Sequence, residues 1–170
     1  MKNIIRFTIA VVLVTVWAIP VRAINFSHTG QQSWESLDRE ASLYFETNIP
    51  KAISLEKKAL AIAKRDYGER DNRVFQSMCM IMTLNIDRHN YTEAWKWVEK
   101  NTKFMDDNWD NITYDQIGLL GYQIAFLNIE EGNVRAAKEV LKAPIEMFES
   151  HGETGSNVYL RLKLLYQRIK

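Results

Sequence analysis

Three histidines, His28, His89 and His151, are the first candidates for chemistry, because an imidazole can bind a metal or move a proton near neutral pH. None has a second His, or a convincing set of ligands, three or four places away, the spacing that brings donors to one face of a helix, so no zinc site is expected. The stretch DDNWDNIT (residues 106–113) sets side-chain oxygens at 106, 108 and 110, as a calcium loop does. It fails further on, with Asn111 where a glycine makes the sharp turn and Ile117 where a bidentate Glu closes the site. Cys79 is the single cysteine and lies in the apolar run Met78, Met80, Ile81, Met82, which suits a small buried hydrophobe better than a reactive thiol. There is no Gly-rich phosphate loop, no nucleophile elbow and no Cys with a plausible His partner, and the adjacent Glu130 and Glu131 point to different faces of a helix end. Three Asn-X-Ser/Thr triplets, at Asn25, Asn90 and Asn111, would matter only in a host that glycosylates exported proteins. No catalysis, metal or cofactor is expected.

Composition sets the wider frame. With 170 residues, 46% hydrophobic and 25% charged, the chain has enough material for one domain with a real core, and 7 Gly and 3 Pro leave no low-complexity tract. Residues 1–23 read differently. Lys2 and Arg6 give a basic start, Phe7 to Ile19 an apolar run, Pro20 a stop, and Val21 and Ala23 the small side chains that a signal peptidase inspects. A helix of those 13 apolar residues, at about 1.5 Å each, falls short of the roughly 30 Å hydrocarbon core, so a cleaved secretory leader is expected rather than an anchor. Export would then place the mature protein in a periplasm or outside the cell, off the membrane after cleavage. The mature chain would hold 19 basic residues against 21 acidic ones, which argues against a nucleic-acid partner or an anionic membrane surface. One cysteine cannot form an internal disulfide, so the core must hold the fold alone.

What must position these residues is helical. Residues 24–32 read as a flexible tail, and from Ser33 onward apolar residues recur at three and four places with no sustained alternation. The pattern predicts helices at about 33–47, 50–66, 72–88, 91–104, 113–130, 133–149 and 156–169, all within one domain spanning 33–170. Ser33 can cap the first, Pro50 suits the opening turn of the second, and Gly132 a left-handed stop before the sixth; Pro144 should kink the sixth or end it early.

Small residues then reveal a period. Ala52, Ala94 and Ala137 stand near the starts of the second, fourth and sixth helices, 42 and 43 residues apart, and Ala41, Met82 and Ala125 take equivalent places on the first, third and fifth. Tight turns separate each pair: Asn48-Ile49-Pro50, His89-Asn90-Tyr91 and Gly132-Asn133-Val134. Two helices per unit at a fixed period signal an all-α solenoid of about three helical hairpins, with a C-terminal helix as cap. Tyr91 should wedge under a neighbouring helix while Ala94 lets two backbones close up and Trp97 and Val98 fill the gap to the next unit.

At these positions the chain resembles the tetratricopeptide repeat, in its long form as in kinesin light chains. Leu37, Ala41, Tyr44, Ala52, Ala59 and Leu60 carry the likeness in the first unit, Met82, Tyr91 and Ala94 in the second, and Ala125, Gly132, Val134 and Ala137 in the third. The first turn is one residue short, Met82 replaces a small residue, so that the second unit should pack less tightly, and Pro144 replaces another. The resemblance implies that the first helix of each unit lines a concave surface. Arg39, Ser42 and Phe45 would come from the first helix, and Gln76, Met80, Thr83 and Asp87 from the third. Leu119, Tyr122, Phe126 and Ile129 would come from the fifth, unless the last helix folds back and covers them. Such an apolar groove with polar rims would take a helix or an extended peptide of a protein partner. A rival expectation is recognition of a small molecule or glycan through Trp34, Trp95, Trp97, Trp109 and Tyr122; a helical enzyme is a third.

Overall fold

Six of the seven α-helices begin where a short polar side chain takes a free backbone N–H, the exception being the one after Asn133. The computed structural model describes residues 32–169, so the expected leader and nearly all of the expected tail lie outside the described residues. Seven α-helices and one short 3-10 turn, with no strand, make up the described residues: α1 (Trp34–Ser42), α2 (Ile49–Tyr67), α3 (Asn72–Asp87), α4 (Tyr91–Asp107), α5 (Tyr114–Glu130), α6 (Val134–Ser150) and α7 (Asn157–Arg168). Ser33, Asp71, Thr113 and Ser156 cap the odd-numbered helices through their side chains. Asn48, Asn90 and Asn133 stand at the N-caps of the even ones, 42 and 43 residues apart.

The turns within hairpins repeat in atomic detail. In α3 the Asn85 amide donates to the Ile81 carbonyl at 2.7 Å, and the Asn85 carbonyl accepts from Asn90 N–H at 2.8 Å. Forty-three residues later Asn128 donates to Ile124 at 2.9 Å and accepts from Asn133 at 2.7 Å. Gly132 ends α5 with φ +84°; the same place before α4 is held by His89 at φ +59°, a left-handed backbone that costs a residue with a Cβ about 1 kcal/mol. The His89 ring offsets part of that through its Nδ1, 2.7 Å from the Tyr91 hydroxyl.

Three expectations need correction. α1 ends at Ser42, five residues early, because no side chain from 42 to 47 is fully buried and nothing rewards another turn. α4 runs three residues further, to Asp107, carried by the buried Phe104 and Met105. Pro144 does not stop α6, which continues to Ser150; a Cβ placed on Gly121 would come within 3.1 Å of the Pro144 ring, so that ring sits tight against α5.

Packing follows the hairpin plan. α1 packs with α2, α3 with α4 and α5 with α6; α3 lies on α2, α5 on both α3 and α4, and α7 on α5 and α6. Ala41, Ala52, Met82, Ala94, Ala125 and Ala137 all have no solvent exposure, so Met82 is as completely enclosed as the alanines it parallels. The far end closes on a cluster of Leu141, Ile145, Phe148, Leu162 and Leu165 around Ala125 and Ala137. Gly118 lets α7 reach α5: a Cβ there would lie 2.6 Å from Val158 and 2.8 Å from Phe148. The architecture is an all-α solenoid of three hairpins with a capping terminal helix.

Candidate functional site

The odd-numbered helices form one layer, held by side-chain hydrogen bonds between residues about one repeat apart. Trp34 Nε1 donates to Ser77 Oγ at 2.9 Å, joining α1 to α3 across 43 positions. Gln116 Nε2 donates to Asn72 Oδ1 at 2.8 Å across 44, and Gln123 Nε2 to Thr83 Oγ1 at 2.8 Å across 40, joining α3 to α5. Ser156 Oγ donates to Asp115 Oδ1 at 2.6 Å across 41, which places α7 as the first half of a further unit. Leu160 and Leu164, on the part of α7 without a partner helix among the described residues, are 53% and 44% exposed.

The residues expected to line the groove divide by burial. Arg39, Ser42 and Asp87 are exposed, and Phe45, Gln76, Met80, Leu119 and Ile129 are half-buried. Thr83 is buried and its hydroxyl is used twice, donating to the Cys79 carbonyl at 3.1 Å and accepting from Gln123. Phe126 is buried too. Tyr122 and Ile129 pack against the cluster of α6 and α7, so the terminal helix covers part of the α5 stripe. Burial pushes the Tyr122 hydroxyl above its ordinary pKa, against the opposing pull of Arg161 and Arg168 on α7.

Where α1, α2 and α3 meet, the structure holds a feature that no sequence pattern announced. Glu56 is fully buried on α2, and both its carboxyl oxygens lack a hydrogen-bond partner of ordinary geometry. Asp38 of α1 and Ser77 of α3 act on it from the two neighbouring helices. Burial first, then the Asp38 charge, push the Glu56 carboxyl up to about 9, so it is a neutral acid at pH 7. Burial raises Asp38 as well. The rim of this joint is ionic: Arg73 Nε lies 3.4 Å from Glu35, and its guanidinium stacks over the Tyr67 ring at 3.9 Å.

The joint between the second and third units is built from neutral groups inside and a tethered edge outside. Gln123, Thr83 and the Cys79 carbonyl meet in its interior, with Gln123 Oε1 left unpartnered. Cys79 is buried, its Sγ 3.5 Å from Asn101 Oδ1, and desolvation raises its thiol pKa well beyond the range where a thiolate forms. At the edge Tyr91 donates to Glu130 at 3.4 Å and Trp95 Nε1 to Glu131 at 2.8 Å, so each acid of that pair ties α5 back to the first turns of α4. Trp97 and Val98 are buried, as the wedge reading of that segment requires.

The remaining candidates do not converge. Asn108 turns inward and donates to the Phe104 carbonyl at 2.7 Å, away from a shared site with Asp106 and Asp110. Among the described residues no group of three or more His, Cys, Asp or Glu could hold a metal ion, and no helix is long and apolar enough to cross a membrane. The tryptophans scatter: Trp34 and Trp97 are buried, Trp95 is taken by Glu131, and Trp109 is 65% exposed. No protein-family model matches the chain, and the search of curated proteins finds no match either.

Proposed function

We propose that the protein is an exported, non-catalytic interaction module of the tetratricopeptide-like kind, which holds a helix or extended peptide of a protein partner along the layer of α1, α3 and α5. The observation that carries this reading is the bonding of those three helices side by side at near-repeat spacing, which makes one continuous surface from separate units. Exposed Arg39, Ser42 and Asp87 and half-buried Phe45, Gln76 and Met80 supply the mix of polar rim and apolar floor that peptide recognition uses. The third hairpin contributes less than its sequence promises, because α7 packs over Tyr122.

Displayed peptide libraries panned against the purified protein test this directly. Selected peptides should bind saturably, and Met80→Glu should weaken them at least tenfold, by about 1.4 kcal/mol or more, with helicity unchanged. Failure to select any saturable binder, or binding indifferent to Met80→Glu, contradicts the reading. The export half has its own check: N-terminal sequencing of the protein outside the cytoplasm should begin at Ile24, and a recovered chain beginning at Met1 contradicts it.

A further inference from the structure

Glu56 is the one Asp or Glu among the described residues that is fully buried, and it sits where three helices converge. From α1 it faces Asp38, on whose charge Glu35 and Arg39 act in opposite senses; from α3 it faces the Ser77 hydroxyl. Ser77 is itself committed as acceptor to Trp34 Nε1. The lysines of its own helix nearest in sequence, Lys57 and Lys58, are exposed, and Arg73 on α3 is occupied by Glu35 and Asp71 at 3.4 and 3.2 Å. The neighbours of Glu56 on the buried face of α2 are Ala52, Ala59 and Leu60, which offer nothing to a charge. The Glu56 carboxyl is therefore enclosed with no cation and no hydrogen-bond partner of ordinary geometry, and half-buried Asp38 adds a second acid that acts on it. Glu56 can stay enclosed only while it holds a proton, since a buried unpaired carboxylate is far costlier than a buried acid.

We propose that Glu56, enclosed where α1 and α3 close over α2, is a proton-operated latch that seats α1 on α2 and α3, and that losing its proton releases α1. α1 is the shortest α-helix among the described residues, 9 residues, and it brings Arg39 and Ser42 to the exposed layer, so its release would remove their part of that surface. This consequence for binding rests on the function proposed above; the latch itself does not. The direction follows from linkage. Both carboxyls are raised in the folded state, so the stability they confer is fully present below the ordinary carboxyl pKa and is lost as pH rises toward about 9. Across that window the opened form gives up the proton that the closed form keeps, and opening becomes about tenfold more favourable per pH unit.

Amide hydrogen exchange of the whole protein between pH 5.5 and 8.5, corrected for the intrinsic pH dependence of exchange, tests the latch without any partner. Protection of α1 amides should fall about tenfold per pH unit, while α5 amides show no such slope. Glu56→Gln should flatten the α1 slope, and Asp38→Asn should keep it, because Glu56 stays buried. If Glu56→Gln fails to fold, Glu56→Leu provides the same comparison with an apolar side chain. Protection of α1 that does not change with pH, a slope shared equally by α5, or an unaltered slope in the Glu56 variants overturns the proposal. Peptide binding plays no part in the readout, so failure here and failure of the interaction reading are separate results.

Discussion

The two joints of the solenoid do the same mechanical task with opposite chemistry. Trp34 and Ser77 clasp α1 to α3, and Gln123 and Thr83 clasp α3 to α5, both within a few positions of one repeat. At the first joint the interior adds buried Glu56, with half-buried Asp38 acting on it; burial raises both carboxyls, and the proposed latch ties this joint to a proton. At the second the interior holds a side-chain amide, a hydroxyl and a backbone carbonyl, and its carboxylates, Glu130 and Glu131, are kept at the edge. The repeat therefore fixes where neighbouring helices touch, while the residues at the contact decide which conditions loosen them. In the proposed latch the first joint loosens as pH rises, whereas the second, with no carboxyl in its interior, should not.

Making the second joint resemble the first should have the largest effect. Gln123→Glu puts an acid among apolar neighbours and Thr83; it should cost roughly 3 kcal/mol at pH 8 and much less at pH 5, read by urea unfolding at both. The shared geometry can be probed at its most enclosed points. Leu in place of Ala52, Ala94 or Ala137 should cost about 1–3 kcal/mol at each, since none of the three has any exposure, and one tolerant site would break the equivalence of the hairpins. Removing the two clasps separately should give similar, smaller losses. Ser77→Ala strands the Trp34 N–H, and Thr83→Val leaves the Gln123 amide only its longer bond, 3.4 Å, to the Cys79 carbonyl, each at about 1–2 kcal/mol in thermal or chemical unfolding. The least effect belongs to the turns. His89→Gly should gain up to about 1 kcal/mol by relieving the left-handed backbone, and Gly132→His should lose a similar amount.

Much of the architecture was written in small residues. Ala52, Ala94 and Ala137 marked the period because a helix pair closes only where side chains are small, and all three proved fully enclosed. Ser33, Pro50 and Gly132 marked helix ends for equally local reasons. The sequence overextends α1 because its apolar period continues through Leu43, which the fold leaves 73% exposed; whether a face finds a partner is a tertiary matter. Pro144 is the converse, since its seat against Gly121 lies on another helix. His89 stands where the next unit has Gly132, so the left-handed position before α4 is marked in the repeat itself. The Glu56 and Asp38 pair was not legible as a pair: the two are 18 positions apart on different helices, and Glu56, followed by Lys57 and Lys58, reads as part of a charged run although it shares the face of Ala52 and Ala59. Of the residues that the resemblance set along a groove, Arg39, Ser42 and Asp87 are exposed, whereas the enclosure of Thr83 and Phe126 depended on Gln123 and on neighbouring helices.

The central claim is that residues one repeat apart touch in the folded chain, and nuclear Overhauser measurements reach it most directly. The indole proton of Trp34 should show contacts to Ser77, and the side-chain amide of Gln123 contacts to Thr83, two independent pairs 43 and 40 positions apart. Contacts at both places are the predicted result. A well-folded helical protein in which neither pair is close in space would contradict the account.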